Sequence, residues 1–338
     1  MDNLESTVIS TRIRLARNIA DYPFPHKLKD RKQAREIVEL LRLPLSQTDE
    51  FRLSYVDELS EVELALLKEN YLISQALIDN KGVSAVYINK DETVSIMVNE
   101  EDHVREQYYM KGLHLFKGYE YLSGIDDVIG DCVKFAYDKK WGFLTACPTN
   151  LGTGLRASVM LFLPAITRNE ELLYDLKERM RRQGLTVRGV YGEGSAADGY
   201  MYQISNEITL GHSEQQILDE VGAAVCKIAE VEIRAREEMC KENPVAVKDA
   251  CGRAYGILTN CVKLGDREFL QLISEFKLGV SMGLYTVDRM SELDDLIINM
   301  RDSNINRFSK KTLTDEGREI YRAECVQSKL KELSRGTE

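Results

Sequence analysis

The stretch CPTNLGTGLRAS, residues 147–158, places a thiol, a flexible backbone and a guanidinium close together in the chain. Cys147 leads the stretch, Gly152 and Gly154 lie in its middle, and Arg156 follows. A thiolate near arginines is stabilised and its pKa is lowered, while a planar guanidinium binds phosphate oxygens through paired hydrogen bonds. The two glycines would let the backbone approach a ligand closely. The arginine and the glycines indicate an anion site, whereas Cys147, taken alone, is as often an inert buried thiol at the end of a strand.

Two other segments combine arginine with carboxylates. VNEEDHVR (98–105) contains Glu101 and Arg105, and RGVYGE (188–193) runs from Arg188 to Glu193. One such motif alone is more often a group of solvated charges at the end of an element. Together with STRIRLAR at 10–17, these motifs indicate anion binding with acid–base groups nearby.

Other phosphate-binding motifs fit less well. GTGLRA (152–157) satisfies a loose GxGxxA pattern, but residues 169–183 have helical spacing where a second strand should end in a ribose-binding acid. The chain has no GxxxxGK[ST] sequence and no HRD or DFG set, which excludes the common P-loop and protein-kinase sites. A dinucleotide enzyme remains a distant alternative.

Composition narrows the class of protein further. The 338 residues carry a net charge of −10, which disfavours direct nucleic-acid binding. No apolar run is long enough for a membrane span, and MDNLESTVIS does not have the pattern of a signal peptide, so we expect a cytoplasmic protein without membrane association. The seven cysteines are scattered without a CxxC, which predicts free thiols and no protein metal site.

Periodicity predicts an α/β part over residues 1–240 and a helical part over 241–338. Ser60 and Glu63 form a capping-box signature before a helix over 61–79. GVSAVYI (82–88) and TVSIMVN (93–99) predict a hairpin around NKDE. The other expected strands are 141–147, 185–191 and 200–210, with a mobile loop at 192–199. The other expected helices are 27–43, 100–110, 118–138, 155–167, 169–183, 213–242, 245–260, 266–280, 285–300 and 312–335.

STRIRLAR, NEEDHVR, CPTNLGTGLRAS and RGVYGEGS resemble the four signature blocks of the phosphagen (guanidino) kinases, in the family's order. The resemblance covers residues 8–236 and is strongest to bacterial protein-arginine kinases of the McsB type, continuing through QISNEITLGHSEQ. It implies a glutamine-synthetase-like α/β catalytic domain (1–240), with an antiparallel sheet flanked by helices. It also implies an all-α C-terminal domain (241–338) for phosphoarginine binding and dimerisation. ATP is the implied cofactor, with Mg²⁺ bound through the nucleotide.

The resemblance also implies roles for individual residues. Glu101 and Glu193 match the two acceptor-binding glutamates, with Glu101 as the better candidate for catalytic base, and Cys147 would orient the acceptor guanidinium. Arginines at 12, 14, 105, 156 and 188 would form a cage around the phosphates. The implied ATP-binding residues are Ser10, Thr11, Arg12, Ile13, Arg14, Tyr71, Arg105, Arg156, Ala157, Ser158, Val159, Met160, Arg188, Gly189, Val190, Tyr191 and Gly192.

REIYRA (318–323) is similar to a tail motif of the subfamily that is associated with phosphoarginine binding away from the active site. The implied residues there are Arg318, Glu319, Arg322 and Ala323. Two positions depart from the subfamily pattern, since Tyr71 replaces a usual histidine and Glu319 replaces an aspartate. Such an arginine pair on a helix is, without the family context, more often an exposed face.

Phosphagen kinases that act on free arginine or creatine carry a helical domain before the STR block, which here begins at Ser10. The acceptor site should therefore be open, which favours an arginine side chain on a protein as the acceptor. By family, the implied partners are a heat-shock repressor, an activator protein, a Clp ATPase/protease and a second copy of the chain in a homodimer. The alternatives are a free-arginine phosphagen kinase and a non-catalytic phosphoarginine-binding adaptor.

Overall fold

The computed structural model describes residues 4–28, 30–189 and 198–333. The strands are Val8–Arg17 (β1), Phe51–Tyr55 (β2), Ala85–Asn89 (β3), Val94–Val98 (β4), Val104–Lys111 (β5), Tyr137–Asp138 (β6), Gly142–Phe143 (β7), Leu155–Phe162 (β8), Leu185–Gly189 (β9) and Met201–Asn206 (β10). Eight of them form one sheet in the order β2-β3-β4-β5-β1-β8-β10-β9, and every neighbouring pair is antiparallel. Strands β6 and β7 form a separate pair.

Helices lie on both faces of the sheet and make up the C-terminal part of the chain. They are Arg31–Leu40 (α1), Arg42–Leu45 (α2), Glu61–Glu69 (α3), Gln75–Asp79 (α4), Leu115–Cys132 (α5), Pro164–Arg168 (α6), Glu170–Arg182 (α7), Glu214–Glu242 (α8), Pro244–Leu258 (α9), Asp266–Ser281 (α10), Ser291–Asn299 (α11), Asp302–Ser309 (α12) and Asp315–Leu333 (α13). Helices α5 and α8 pack on the central strands β1 and β8 over a continuous apolar core. Helices α3 and α4 pack on the face of β3 and β4 opposite to this main core. No helix among the described residues is long and apolar enough to cross a bilayer.

The predicted antiparallel sheet flanked by helices is confirmed, as is the hairpin formed by β3 and β4. The expected helix over 155–167 is wrong for residues 155–162, which form the central strand β8, and only its end, within α6, is helical. Leu155, Ala157, Val159 and Leu161 are fully buried on one face of that strand, while the alternate side chains point to the other face. The residues of this strand belong to a mostly apolar run without a clear alternation, and such a run cannot be told from a buried helix by its period.

The expected helix over 100–110 is also wrong, because it covers a tight turn and strand β5. On β5 both faces carry polar side chains, including the fully buried Glu106, so the usual alternation of apolar and polar residues is hidden. The expected strand over 141–147 shrinks to β7. Cys147 instead precedes a short 3-10 turn over Pro148–Asn150.

The capping box of Ser60 and Glu63 is confirmed, with both reciprocal hydrogen bonds present. The helix that it starts ends early, at Glu69, and the chain restarts as α4 after the N-cap residue Ser74. The expected C-terminal helices are present, with the 285–300 helix reduced to α11 and α12 added. The expected domain boundary at residue 240 falls near the end of α8 and stays a prediction.

A buried ion pair connects the sheet to helix α8. Glu232 is fully buried, and its carboxylate accepts the backbone N–H groups of Ala165 (3.0 Å) and Ile166 (2.9 Å) at the start of α6. Arg236 donates to Glu232 at 2.7 Å and to the carbonyl of Phe162 at 2.9 Å. The pair therefore satisfies the first N–H groups of one helix and the end of one strand at the same time.

A second buried network lies beneath the loop that begins β8. Arg17 donates to Asp126 at 2.7 Å and to the carbonyl of Thr153 at 2.9 Å. Gly154 has φ of +67°, and a Cβ there would lie 2.4 Å from an Arg17 nitrogen. The close approach that requires glycine at 154 is thus to the protein's own chain, and the same holds for Gly152, where a Cβ would lie 2.8 Å from the Thr209 carbonyl. These contacts within the protein are enough to explain both glycines, without a close approach of a nucleotide to the backbone.

Candidate active site

A cleft of about 450 Å³ lies on the sheet face opposite to helices α5 and α8. Strand β1 contributes Ser10, Arg12 and Arg14, which share one face because side chains alternate along a strand. The neighbouring strand β8 contributes Arg156, Ser158 and Met160 by the same rule. Of the other implied ATP-binding residues, the cleft is also lined by Tyr71, Arg105, Arg188 and Gly189.

Because side chains alternate along β1 and β8, only every second implied ATP-binding residue on these strands points into the cleft. Ile13, Ala157 and Val159 are fully buried in the core on the far face of the sheet. The Thr11 hydroxyl donates to the carbonyl of Gly112 at 2.6 Å and accepts from the N–H of His114 at 3.0 Å. The side chains of these four residues therefore hold the strands in place and do not line the cleft.

Five of the cleft arginines interact unfavourably with one another. Arg14 lies directly opposite Arg156 across the β1–β8 pair. Burial, together with the charge of Arg105, lowers the pKa of Arg12 to about 10. Burial and the charge of Arg12 hold the pKa of Arg14 well below its ordinary value, and burial with the charges of Arg188 and Arg105 lowers that of Arg156. The Nε atoms of Arg14 and Arg156 are buried without a hydrogen-bond partner among the described residues.

Such an arrangement concentrates positive charge and leaves N–H donors unsatisfied, which costs free energy unless an anion is bound. A ligand with several negative charges, such as a nucleoside triphosphate, would reverse both effects. The residues of the cleft therefore fit ATP. Across the described residues, no group of three His, Cys, Asp or Glu side chains is arranged to hold a metal ion.

The two adjacent glutamates of NEEDHVR have different surroundings. Glu100 is 1 % exposed and forms an ion pair with Arg105, and it also accepts a hydrogen bond from Ser74. Burial raises its pKa, but Arg105 and the hydrogen bonds to its carboxylate keep the pKa below the ordinary value. Glu101 is exposed at the cleft, and its backbone N–H donates to Glu100 at 3.0 Å. Glu100 therefore positions Arg105, while the Glu101 carboxylate faces the ligand space.

The next two residues of the block are structural. Asp102 accepts from Asn18 and from the N–H of Ala146, both at 2.6 Å, and so ties the Glu101 turn to the Cys147 loop. His103 accepts from the N–H of Ile19 at 3.0 Å through Nδ1, which leaves Nε2 to donate to the carbonyl of Pro23 at 2.9 Å. Burial lowers the pKa of His103 to about 4, so this histidine is neutral.

Cys147 is partly exposed beside the cleft without lining it, and its sulfur lies 3.1 Å from the Thr149 hydroxyl. A thiolate there lies close enough to Arg156 for the two charges to interact. The remaining sequence-predicted residues of this region, Glu193, Val190, Tyr191 and Gly192, lie outside the described residues.

Tyr71 adopts a left-handed backbone conformation, with φ of 60°. Its N–H donates to the carbonyl of Lys68 at 3.0 Å, and the next N–H, of Leu72, donates to Leu67 at 2.9 Å. This pair of bonds ends helices at a position that is usually glycine. A side chain there costs about 1–2 kcal/mol, and residues that keep such strain cluster at functional sites.

Sequence reasoning missed eight residues that line the cleft, which are Ile9, Tyr109, Met201, Gln203, Asp294, Ile297, Ile298 and Arg301. Tyr109 and Gln203 occupy alternate positions on strands beside predicted site residues, so a correct assignment of β5 would have found the first of them. The last four come from α11 and the residues after it. No motif in the tail marks them.

The two arginines of the tail motif are already paired. Arg322 is 1 % exposed and donates to the carbonyls of Met300 and Leu264, both at 2.8 Å, and to Asp302 at 2.6 Å. Arg318 forms ion pairs with Asp302 and with Asp315. Ala323 is fully buried and Glu319 is partly exposed on the same helix, α13. Both guanidinium groups therefore already share the carboxylate of Asp302.

Comparison with known proteins agrees with this geometry. The model for the ATP:guanido phosphotransferase C-terminal catalytic domain matches residues 33–235, and that for the protein-arginine kinase McsB C-terminal domain matches residues 244–338. A curated protein named protein-arginine kinase from Halothermothrix orenii is 39 % identical over 325 residues, covering 96 % of this chain and 93 % of its own length. One of the same name from Clostridium kluyveri is 42 % identical over 326 residues, covering 96 % and 94 %.

The fold is also found in the crystal structure of lombricine kinase, with a TM-score of 0.59 and 25 % identity over 68 % of this chain and 66 % of that one. The sequence blocks, the arginine-lined cleft and both matched domain models thus support the same family. The chain belongs to the ATP:guanido phosphotransferase family and carries the C-terminal domain of the McsB type.

Proposed function

We propose that this chain transfers the γ-phosphoryl group of ATP to arginine side chains of proteins. The observation that carries the proposal is the set of cleft arginines, whose charges lower one another's pKa and two of which keep buried Nε donors without partners. A triphosphate would satisfy both the charge and the donors. Mg²⁺, bound through the nucleotide, would neutralise further phosphate charge. The names of the curated relatives support arginine in proteins as the acceptor.

In the transfer, a guanidinium nitrogen of the acceptor bonds to the γ-phosphorus as the bond to the oxygen bridging to the β-phosphate breaks. ADP leaves, and the acceptor nitrogen loses one proton. A guanidinium with a pKa above 12 is a poor nucleophile, so a carboxylate must orient it and take this proton. We assign that role to Glu101, which is exposed at the cleft beside the anchored Glu100–Arg105 pair.

The cage arginines would hold the triphosphate in line with the acceptor and stabilise the charge that spreads over the γ-phosphoryl oxygens. We propose Glu193 as the second acceptor-binding carboxylate and Cys147 as an electrostatic orienter of the acceptor guanidinium. The electrostatic influence of Cys147 on the pKa of Arg156 supports a position of the thiol near the phosphate-binding arginines.

Further roles follow from the family resemblance. We propose that the modified proteins pass to a Clp ATPase/protease, that a heat-shock repressor is among them, and that an activator protein regulates the kinase. We further propose that the protein acts in the cytoplasm as a homodimer formed through its tail. The tail motif of Arg318, Glu319, Arg322 and Ala323 is proposed as a regulatory phosphoarginine site. Arg318→Ala should then spare basal transfer and weaken any response to added phosphoarginine.

The test is ATP turnover with Mg²⁺ on an unfolded arginine-rich protein and, separately, on free arginine. Acid-labile phosphate on the protein alone is the expected result, since phosphorus–nitrogen bonds hydrolyse in acid. Phosphorylation of free arginine alone would overturn the proposed acceptor, and no transfer to either would overturn the proposed activity.

Glu101→Gln should lower kcat by about 10²–10⁴-fold and leave ATP binding near normal. The matched control is Glu120→Gln, at an exposed position on α5. Wild-type turnover in Glu101→Gln would remove Glu101 from the role of base.

A further inference from the structure

The two ends of the cleft differ in chemistry, and the strand register orders them. Arg14 and Arg156 face each other across β1 and β8, and Arg105 lies opposite Ala16 on the next strand, so these three guanidinium groups gather at one end. Two residues earlier on β1, Arg12 lies opposite Tyr109, and Ser10 lies opposite Met160. Arg188 and Gln203 lie in register with Met160, so this end also holds charged and polar groups. It adds to them the rings of Tyr71 and Tyr109 and the side chains of Met160 and Met201, and aromatic and apolar groups suit the planar base of a nucleotide.

Helix α11 closes this apolar end. Ile297, Ile298 and Arg301 line the cleft, while Leu293 and Leu296 bury the opposite side of the helix in the core of the C-terminal helices. Asp294 also lines the cleft and is held by an ion pair to Lys277, whose side chain is 2 % exposed. The wall that the tail presents to the ligand is thus anchored by apolar and ionic contacts.

Arg301 lies directly against the aromatic groups. Its Nη2 donates to the Tyr71 hydroxyl at 3.3 Å, and its guanidinium carbon is 5.6 Å from the centre of the Tyr71 ring. The Tyr71 ring stacks in turn on Tyr109, at 6.1 Å and 19° between planes. A guanidinium plane and two stacked rings form a surface on which a purine base can stack, with N–H donors for its ring nitrogens.

We propose that Arg301 is a nucleotide-binding residue that contacts the purine base of ATP, so that the C-terminal helices complete the nucleotide site of the catalytic part. The inference rests on the proposed use of ATP. It assigns the base to the Tyr71–Tyr109–Arg301 end and the triphosphate to the Arg14–Arg105–Arg156 end. The strained backbone of Tyr71 is then explained, since that conformation places its ring in contact with both Tyr109 and Arg301.

The experiment separates base contacts from phosphate contacts. Binding of Mg·ATP and of inorganic tripolyphosphate, which has no base, is measured by calorimetry for the full chain and for Arg301→Met. We expect the Kd and KM for ATP to rise about tenfold, with kcat and the tripolyphosphate Kd within about twofold of wild type. Arg156→Met should weaken both ligands.

The matched control is Arg307→Met, on α12, which removes an ion pair between the tail and Glu92 but does not line the cleft. Arg307→Met should leave the ATP Kd unchanged. If it weakens ATP binding as much as Arg301→Met does, packing of the tail on the sheet, and not a contact with the base, sets the affinity.

An unchanged ATP Kd in Arg301→Met, or a loss of tripolyphosphate affinity equal to the loss of ATP affinity, would also overturn the inference. If Arg301→Met does not fold, Tyr71→Phe provides the second variant, and there an unchanged ATP Kd would be the contrary result. Failure of wild-type protein to bind ATP would instead overturn the proposed function.

Discussion

Substitution of two arginines of the same cleft, Arg12 and Arg105, should change the stability of the nucleotide-free protein in opposite directions. Among the described residues, the hydrogen-bond acceptor seen for the Arg12 guanidinium is the neutral side-chain oxygen of Gln203, at 2.9 Å. Arg105 forms an ion pair with the carboxylate of Glu100, which is 1 % exposed. Arg12→Met therefore removes a charge that burial and its neighbours oppose, whereas Arg105→Met leaves a buried carboxylate without its cation.

The magnitudes follow from the surroundings of each group. Burial and the charges of neighbouring arginines lower the pKa of Arg12 to about 10, which corresponds to about 3 kcal/mol. At pH 7 Arg12 is charged in both the folded and unfolded states, so this amount opposes folding, and it disappears only as the pH rises above 10. Loss of the hydrogen bond to Gln203 offsets about 2 kcal/mol, so Arg12→Met should raise the free energy of unfolding by about 1 kcal/mol. Arg105→Met should lower it by about 3 kcal/mol.

The assay is equilibrium unfolding in urea at pH 7, without nucleotide and then with Mg·ATP. ATP at 100 times its Kd should add about 2.7 kcal/mol to the wild-type protein, and at the same ATP concentration both variants should lose most of this gain. Arg179→Met, at an exposed position on α7, is the control and should change neither quantity. If Arg12→Met destabilises the nucleotide-free protein as strongly as Arg105→Met does, the reasoning about an electrostatically strained cleft is refuted.

Substitutions at three other residues test the structure elsewhere. Burial and the nearby Asp126 raise the pKa of Glu106 well above its ordinary value; the folded protein then holds a proton that the unfolded chain releases, so stability falls as the pH rises above about 4.5. Glu106→Gln should therefore gain more stability at pH 8 than at pH 5 in urea unfolding, and an equal effect at both values would argue against a protonated Glu106. Tyr71→Gly should be more stable than Tyr71→Ala by about 1 kcal/mol, because both remove the ring but only glycine relieves the left-handed backbone. The KM for ATP should rise in both variants, and a lower melting temperature for Tyr71→Gly than for Tyr71→Ala would contradict this. Glu232→Ala leaves Arg236 buried without its partner and should cost about 3–5 kcal/mol, which a circular dichroism melt close to wild type would disprove.

Local patterns in the sequence were enough for much of the fold. The capping box at Ser60, the β3–β4 hairpin and most of the tail helices depend on residues close together in the chain, so periodicity and end signals identify them. Periodicity wrongly predicts helices for the two central strands β5 and β8. Strand β5 carries polar residues on both faces beside the charged cleft, and β8 is part of a mostly apolar run, so neither strand shows a clear alternation. Arg105, Gln107 and Tyr109 on β5 illustrate this.

The residue types of the candidate site can be identified from the sequence alone, since the arginine, glutamate and cysteine blocks are recognisable without coordinates. Which members of each block face the cleft is known only from the structure, because it depends on which alternate side chains of each strand point to that face of the sheet. It also distinguished Glu100, buried against Arg105, from the adjacent exposed Glu101. The position of Arg301 against Tyr71, across 230 residues of chain, depends on how the C-terminal helices pack on the sheet, and no local pattern in a sequence encodes a contact at that distance.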